Sequence, residues 1–172
     1  MTESASTYAL FVPAAPDRRD FLRLTGLGAV AVLSACGSLR PIGGGAGASS
    51  SAASIINGYR TSNGLASLTP DSQLEQAALQ QAGYMAGAGR MEHDTGWGKG
   101  FASRVKDNGI SGAAAENIAE GRMDLSRLFS MWMNSPPHRR NMLDARFSRF
   151  GLAYVRDGRK SDWRYWALVL GK

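Results

Sequence analysis

Residues 150–156 and 163–170 are rich in aromatic and aliphatic side chains, and they flank Asp157-Gly158-Arg159-Lys160-Ser161-Asp162, a turn-forming run. This pattern predicts a β-hairpin near the end of the chain and commits the fold to an antiparallel sheet. A further strand is expected near Ile118. The apolar residues that come earlier recur instead at helical spacing. Residues 54–62 place Ile55, Ile56 and Tyr59 on one side of a helix that ends near Asn63-Gly64. Thr69-Pro70 reads as the start of a second helix, with a hydroxyl cap and a proline in the first helical position. Its inner face is Leu74, Ala77, Ala78, Gln81, Ala82 and Met85, and it runs to Gly87-Ala88-Gly89. Residues 101–108 form a short third helix stopped by Gly109. Leu125, Leu128, Phe129 and Trp132 make the apolar stripe of a fourth, which Pro136-Pro137 ends. The expected class is α+β, with helices flanking a small, mainly antiparallel sheet.

The front of the chain reads as an address. Asp17-Arg18-Arg19-Asp20-Phe21-Leu22-Arg23 resembles a twin-arginine export signal, and residues 24–35 follow as a soft apolar run. A membrane-spanning helix needs about 20 mainly apolar residues, so this shorter run reads as the core of a signal peptide. It ends in Leu33-Ser34-Ala35-Cys36, which resembles a bacterial lipobox. The implied event is cleavage before Cys36 and lipidation of its thiol, each buried CH₂ of the acyl chains contributing about 0.8 kcal/mol to anchoring. Gly37 carries no retaining negative charge, which points to the outer membrane. Cys36 is the only cysteine, so the chain forms no internal disulfide.

Residues 37–52 contain Gly43-Gly44-Gly45, Gly47 and Ser49-Ser50-Ser51 and read as a flexible tether. No Gly-Lys-Ser/Thr follows the glycines, which argues against a phosphate loop. Residues 53–172 suit one domain, large enough to bury roughly two-thirds of its unfolded surface. Removing residues 1–36 takes away three of the 20 Lys/Arg and three of the 14 Asp/Glu, so the net charge of +6 is unchanged. That excess suits anionic envelope partners such as cell-wall polymers or lipid head groups. Export disfavours nucleic acid as a partner, and the domain is expected to be a monomer. Arg139, Arg140, Arg146 and Arg149 read either as a solvated face or as a basic patch.

The chemistry-bearing candidates are His93, Glu116 and His138. They lie in Met91-Glu92-His93-Asp94, in Ala115-Glu116-Asn117-Ile118-Ala119, and in Ser135-Pro136-Pro137-His138-Arg139-Arg140-Asn141-Met142-Leu143. The chain has only these two histidines. Two imidazoles and a carboxylate can bind one divalent cation or share acid–base work near neutral pH. Gaps of 23 and 22 residues rule out one helix face, so only the tertiary fold can bring them together.

Together with the Ile56-to-Leu65 helix, the Leu74-to-Ala82 helix, Trp132 and the closing Gly151-Leu152-Ala153-Tyr154 and Tyr165-Trp166-Ala167-Leu168 segments, these motifs resemble the CAP superfamily in its order. That superfamily comprises cysteine-rich secretory, antigen 5 and pathogenesis-related proteins, and the likeness is to its short bacterial members. The resemblance implies a three-layer α-β-α sandwich and a cleft lined by His93, Glu116 and His138. Apart from the resemblance, the apolar stripe gives Trp132 a core position, and Asn117 and Asn141 are expected to satisfy backbone groups. Larger members carry a second glutamate where this chain has Ser135, and Ala115 stands where glycine is usual.

Fold analogy constrains chemistry weakly, because the superfamily includes lipid or sterol binding, cell-wall association and disputed hydrolysis. The leading expectation is a membrane-tethered domain binding an envelope ligand, with Zn²⁺ or another divalent metal on His93 and His138. The alternative is a metal-dependent hydrolase in which Glu116 activates bound water. Against it, catalytic zinc usually has three protein ligands plus water. A Ser135–His138 nucleophile pair lacks a Gly-x-Ser-x-Gly elbow, and the two prolines weigh against its hydrogen bond. Trp97 either stacks on a sugar or lipid ring or plugs the sheet edge. Glu116→Gln is expected to preserve shape and most of the stability.

Overall fold

A computed structural model describes residues 44–172 apart from Ser161. The signal segment, Cys36 and residues 37–43 lie outside the described residues. In chain order the elements are β1 (Gly45–Gly47), α1 (Ser49–Ser62), β2 (Thr69–Pro70), α2 (Ser72–Ala88), α3 (Phe101–Asp107) and β3 (Ala114–Gly121). They continue with α4 (Leu125–Asn134), α5 (Pro136–Met142), β4 (Arg149–Arg156) and β5 (Arg164–Gly171).

The expected hairpin is β4–β5, antiparallel, with Phe150 opposite Leu170 and Val155 opposite Tyr165. β3 lies antiparallel on the far side of β5, with Ile118 opposite Ala167. The other edge of β4 is shared by β1, antiparallel, and β2, parallel, which makes a five-stranded sheet among the described residues.

Alternation of side chains along each strand sorts the core into two layers. Phe150 and Leu152 of β4, with Trp166, Leu168 and Leu170 of β5, pack with Ala52 and Ile56 of α1, Leu128, Phe129 and Trp132 of α4, and Met142 of α5. Ala153, Tyr165, Ala167, Val169 and Ile118 face the other way, onto Leu74, Ala77, Ala78 and Met85 of α2. Because helices cover both faces, Tyr165 to Gly171 is buried without a break instead of alternating. This is the α+β, three-layer α-β-α sandwich that the resemblance implied.

Two element starts differ from the sequence reading. The segment 37–52, read as a tether, enters the fold at Gly45. β1 pairs with β4, and α1 begins at Ser49, five residues before the expected start. Ser49 Oγ accepts from Leu152 N at 2.9 Å, and Ser49 N donates to Glu75 Oε2 at 3.1 Å. Here the glycines permit close packing instead of flexibility, since a Cβ on Gly47 would run into the Glu75 carboxylate.

The second helix starts at Ser72 instead of Pro70. Its N-cap is Asp71, which accepts from Leu74 N at 2.9 Å, and Thr69-Pro70 serves as strand β2 at the sheet edge, where proline is tolerated. Asp71 also pairs with Arg149 on β4 at 2.7 Å, a tertiary contact invisible to local cap rules.

Candidate functional site

β3 is the edge strand, and side chains from α4 and α5 satisfy its outward carbonyls. Trp132 Nε1 donates to Ile118 O at 3.1 Å, and Asn141 Nδ2 donates to Glu116 O at 3.3 Å and to Asn117 Oδ1 at 2.9 Å. Asn117 Nδ2 in turn donates to His138 O at 3.1 Å. The Glu-Asn-Ile and Trp…His-Arg-Arg-Asn segments therefore interlock and close an edge that would otherwise offer unpaired backbone groups. Trp132 is fully buried, and both asparagines hold the backbone, in agreement with the sequence reading.

α5 begins with Pro136 and Pro137, whose missing N–H groups are not needed in a first helical turn. His138 is the third residue of that turn, and its Nδ1 lies 2.8 Å from Oγ of Ser135, the N-cap. The prolines thus do not prevent the Ser135–His138 hydrogen bond, as the sequence had suggested; they set it up. Ser135, which stands where larger members carry a second glutamate, is the group that holds His138.

On β3, Glu116 points to the opposite layer from Asn117, toward α3 and the loop after α2. Its Oε1 lies 2.8 Å from His93 Nδ1, and its Oε2 accepts from Arg104 Nη2 at 2.6 Å. The Glu116 and Arg104 side chains are each 2% exposed, whereas that of His93 is 55% exposed. An ionised carboxylate only accepts, so neutral His93 carries its proton on Nδ1 and keeps the Nε2 lone pair free. The loop bearing His93 is itself pinned from beneath. Gln81 Nε2 donates to Glu92 O at 2.6 Å, and Arg104 Nη1 donates to His93 O and to Lys99 O.

Arg104 is the functional residue that sequence reasoning missed. A signal existed: Phe101, Arg104 and Val105 share one face of α3, and a charge at the inward position of a short helix requires a buried partner.

The pKa of His138 lies below the ordinary histidine value, first because of burial and second because His93 is near enough to repel its charged form. Glu116 stands behind His93, withdrawn from solvent, with both oxygens engaged. That placement suits orientation of the imidazole and leaves little freedom for a water-activating base. It also overturns the expectation for Glu116→Gln, because buried Arg104 would lose its counter-charge.

Trp97 is fully exposed between Gly96 (φ 148°) and Gly98 (φ 72°), so it does not plug the sheet edge. Of the four arginines that could have formed a patch, Arg146 pairs with Asp144 at 2.6 Å and Arg149 with Asp71.

Residues 53–170 match the profile of the CAP, or cysteine-rich secretory protein, family, and the chain belongs to that family. It is 33% identical over 106 residues to an uncharacterized protein of Bacillus subtilis (strain 168), YkwD, covering 60% of this chain and 41% of that one. Among solved structures it is similar to an extracellular protein containing an SCP domain from Bacillus anthracis str. Ames. That match has 22% identity and a TM-score of 0.64, and covers 72% of this chain and 39% of that one. It is also similar to an outer surface protein of Borrelia burgdorferi, at 20% identity and TM-score 0.65, covering 76% of this chain and 98% of that one. The structural likenesses show the fold alone. The chain spans about two-fifths of the two Bacillus proteins. No helix among the described residues is long and apolar enough to cross a membrane.

Proposed function

We propose that this chain is a membrane-tethered CAP domain of the bacterial envelope that binds a cell-wall or lipid ligand at a site built on His93 and His138. The observation that carries the reading is the matched pair of imidazole anchors. Glu116 holds Nδ1 of His93 and Ser135 holds Nδ1 of His138, each at 2.8 Å, which leaves Nε2 as the nitrogen of each ring that a ligand can meet. Trp97, four residues after His93 in the same loop, adds an exposed aromatic face to the ligand surface.

The donor set fits a divalent cation such as Zn²⁺ held by the two imidazoles. Carboxylate-backed histidine is a common arrangement behind metal ligands, because the hydrogen bond fixes the tautomer and raises basicity. A bound cation would supply a positive centre for an anionic or carbonyl oxygen of the ligand. Glu116 would act from behind as an orienting group, so two protein ligands would hold the ion instead of the three usual in catalytic zinc sites. Among the described residues, no group of three or more His, Cys, Asp or Glu is gathered for a metal. Binding is therefore favoured over hydrolysis.

The tether is the lipidated Cys36, and the outer membrane is its destination. The extracellular and surface relatives support export. Metal analysis of the protein purified without a histidine tag tests the site. One ion per chain after zinc loading, lost in His93→Ala/His138→Ala, is the expected result; no retained metal removes the cation from the account. Cys36→Ser should release the protein from the membrane fraction, and persistence there would end the lipoprotein reading.

A further inference from the structure

Helix α5 has two working faces. His138, Asn141 and Met142 turn toward β3 and the core, while Pro136, Arg139 and Arg140 recur at helical spacing on the opposite flank, with half-buried Leu143 between that flank and the core. With Met133 and Asn134 from the end of α4, this outer flank encloses an open groove of about 540 Å³. Its wall carries two exposed guanidiniums, those of Arg139 and Arg140, with no side-chain partner among the described residues. No carboxylate lines the groove. The nearby arginines of the same sequence run are neutralised, Arg146 by Asp144 and Arg149 by Asp71, so the positive field is concentrated on these two side chains.

We propose that this groove is a second binding site, on the far side of α5 from the histidines, and that it takes the phosphate head group of an acidic phospholipid at a membrane surface. Two guanidinium forks match the geometry and charge of a phosphodiester, which each can hold through paired hydrogen bonds. Exposed Pro136 and half-buried Leu143 offer apolar contact to the glycerol and first methylenes beside that phosphate. No aromatic ring lines the groove, so the stacking platform that a glycan chain would use is missing here. The openness of the groove fits a head group met at the bilayer surface. The site does not depend on the histidine reading.

The test uses the full chain carrying Cys36→Ser, so that no acyl anchor masks weaker contacts, and flotation with phosphatidylglycerol-containing or pure phosphatidylcholine vesicles. Binding should be stronger to the anionic vesicles. Arg139→Gln/Arg140→Gln should weaken that preference about thirtyfold, taking each basic residue near an anionic surface at its usual worth. Lys106→Gln/Arg156→Gln removes the same charge elsewhere and should change it far less. The proposal fails if both charge-removing pairs lose binding equally, since bulk charge would then suffice. It fails also if wild type shows no preference for the anionic lipid. Loss of binding to purified peptidoglycan in Arg139→Gln/Arg140→Gln, with lipid binding unchanged, would assign the groove to a cell-wall polymer and overturn it.

Discussion

Glu116 and Arg104 form an ion pair almost wholly removed from water, and the exposed imidazole of His93 rests on it. Breaking such a pair from one side leaves an uncompensated buried charge, which commonly costs about 3–5 kcal/mol. Glu116→Gln should therefore destabilise the domain by roughly that amount in urea unfolding, despite its conserved shape. A variant within about 0.5 kcal/mol of wild type, the scale of ordinary surface substitutions, would show that Arg104 does not depend on this carboxylate. At this scale the sequence was uneven. His93, Glu116, His138, Asn117 and Asn141 each stood in a local motif and were legible. Arg104 was not, because its place on the inward face of α3 signals burial but not which partner it meets, and Glu116 is 12 residues away on another element. The Ser135–His138 contact was misjudged because two prolines were read as a barrier when they are the first turn of a helix.

Helices and strands were legible where apolar periodicity ran for several turns, and their ends were lost where tertiary contacts decided them. The late start of α2 follows from Asp71, which caps the helix and also reaches Arg149 on β4. Burial works against the Asp71 charge, but hydrogen bonds from Leu74 N–H and Arg149, with the charge of Arg149, outweigh it and hold the carboxyl below its ordinary value. A lowered carboxyl pKa stabilises the fold at pH values above the unfolded value, and this contribution is lost as pH falls through the folded value. Asp71→Asn keeps a capping oxygen and removes the titration. Wild type should lose more stability than this variant on acidification from about pH 5 to pH 2, and parallel curves would refute the assignment. The early start of α1 depends likewise on distant β4, through Ser49 and Leu152. Gly151 shows how tightly the layers meet, since a Cβ there would overlap the backbone of Leu74 and Glu75. Gly151→Ala forces α2 off the sheet and should cost about 3 kcal/mol, the upper range of overpacking, read from the urea midpoint. An unshifted midpoint would mean that the helix–sheet spacing is softer than this.

Across the whole molecule, one cysteine and a two-faced sheet mean that helices on both sides, without disulfides, must hold the edge strand that bears Glu116. The three-layer architecture was legible because the motifs occur in the order of a known family. The entry of Gly45–Gly47 into the sheet was not, since glycine-rich composition reads the same in a tether and in a crowded strand. The central claim is that this scaffold presents His93 and His138 as one site with both Nε2 atoms free. Long-range ¹H–¹⁵N spectra of the imidazoles, followed through a zinc titration, test it most directly. The account predicts that His93 bears its proton on Nδ1, and that both Nε2 resonances shift together and saturate at one ion per chain. His138→Ala should abolish the response of His93. A proton on Nε2 of His93, or a shift confined to one histidine, would contradict it.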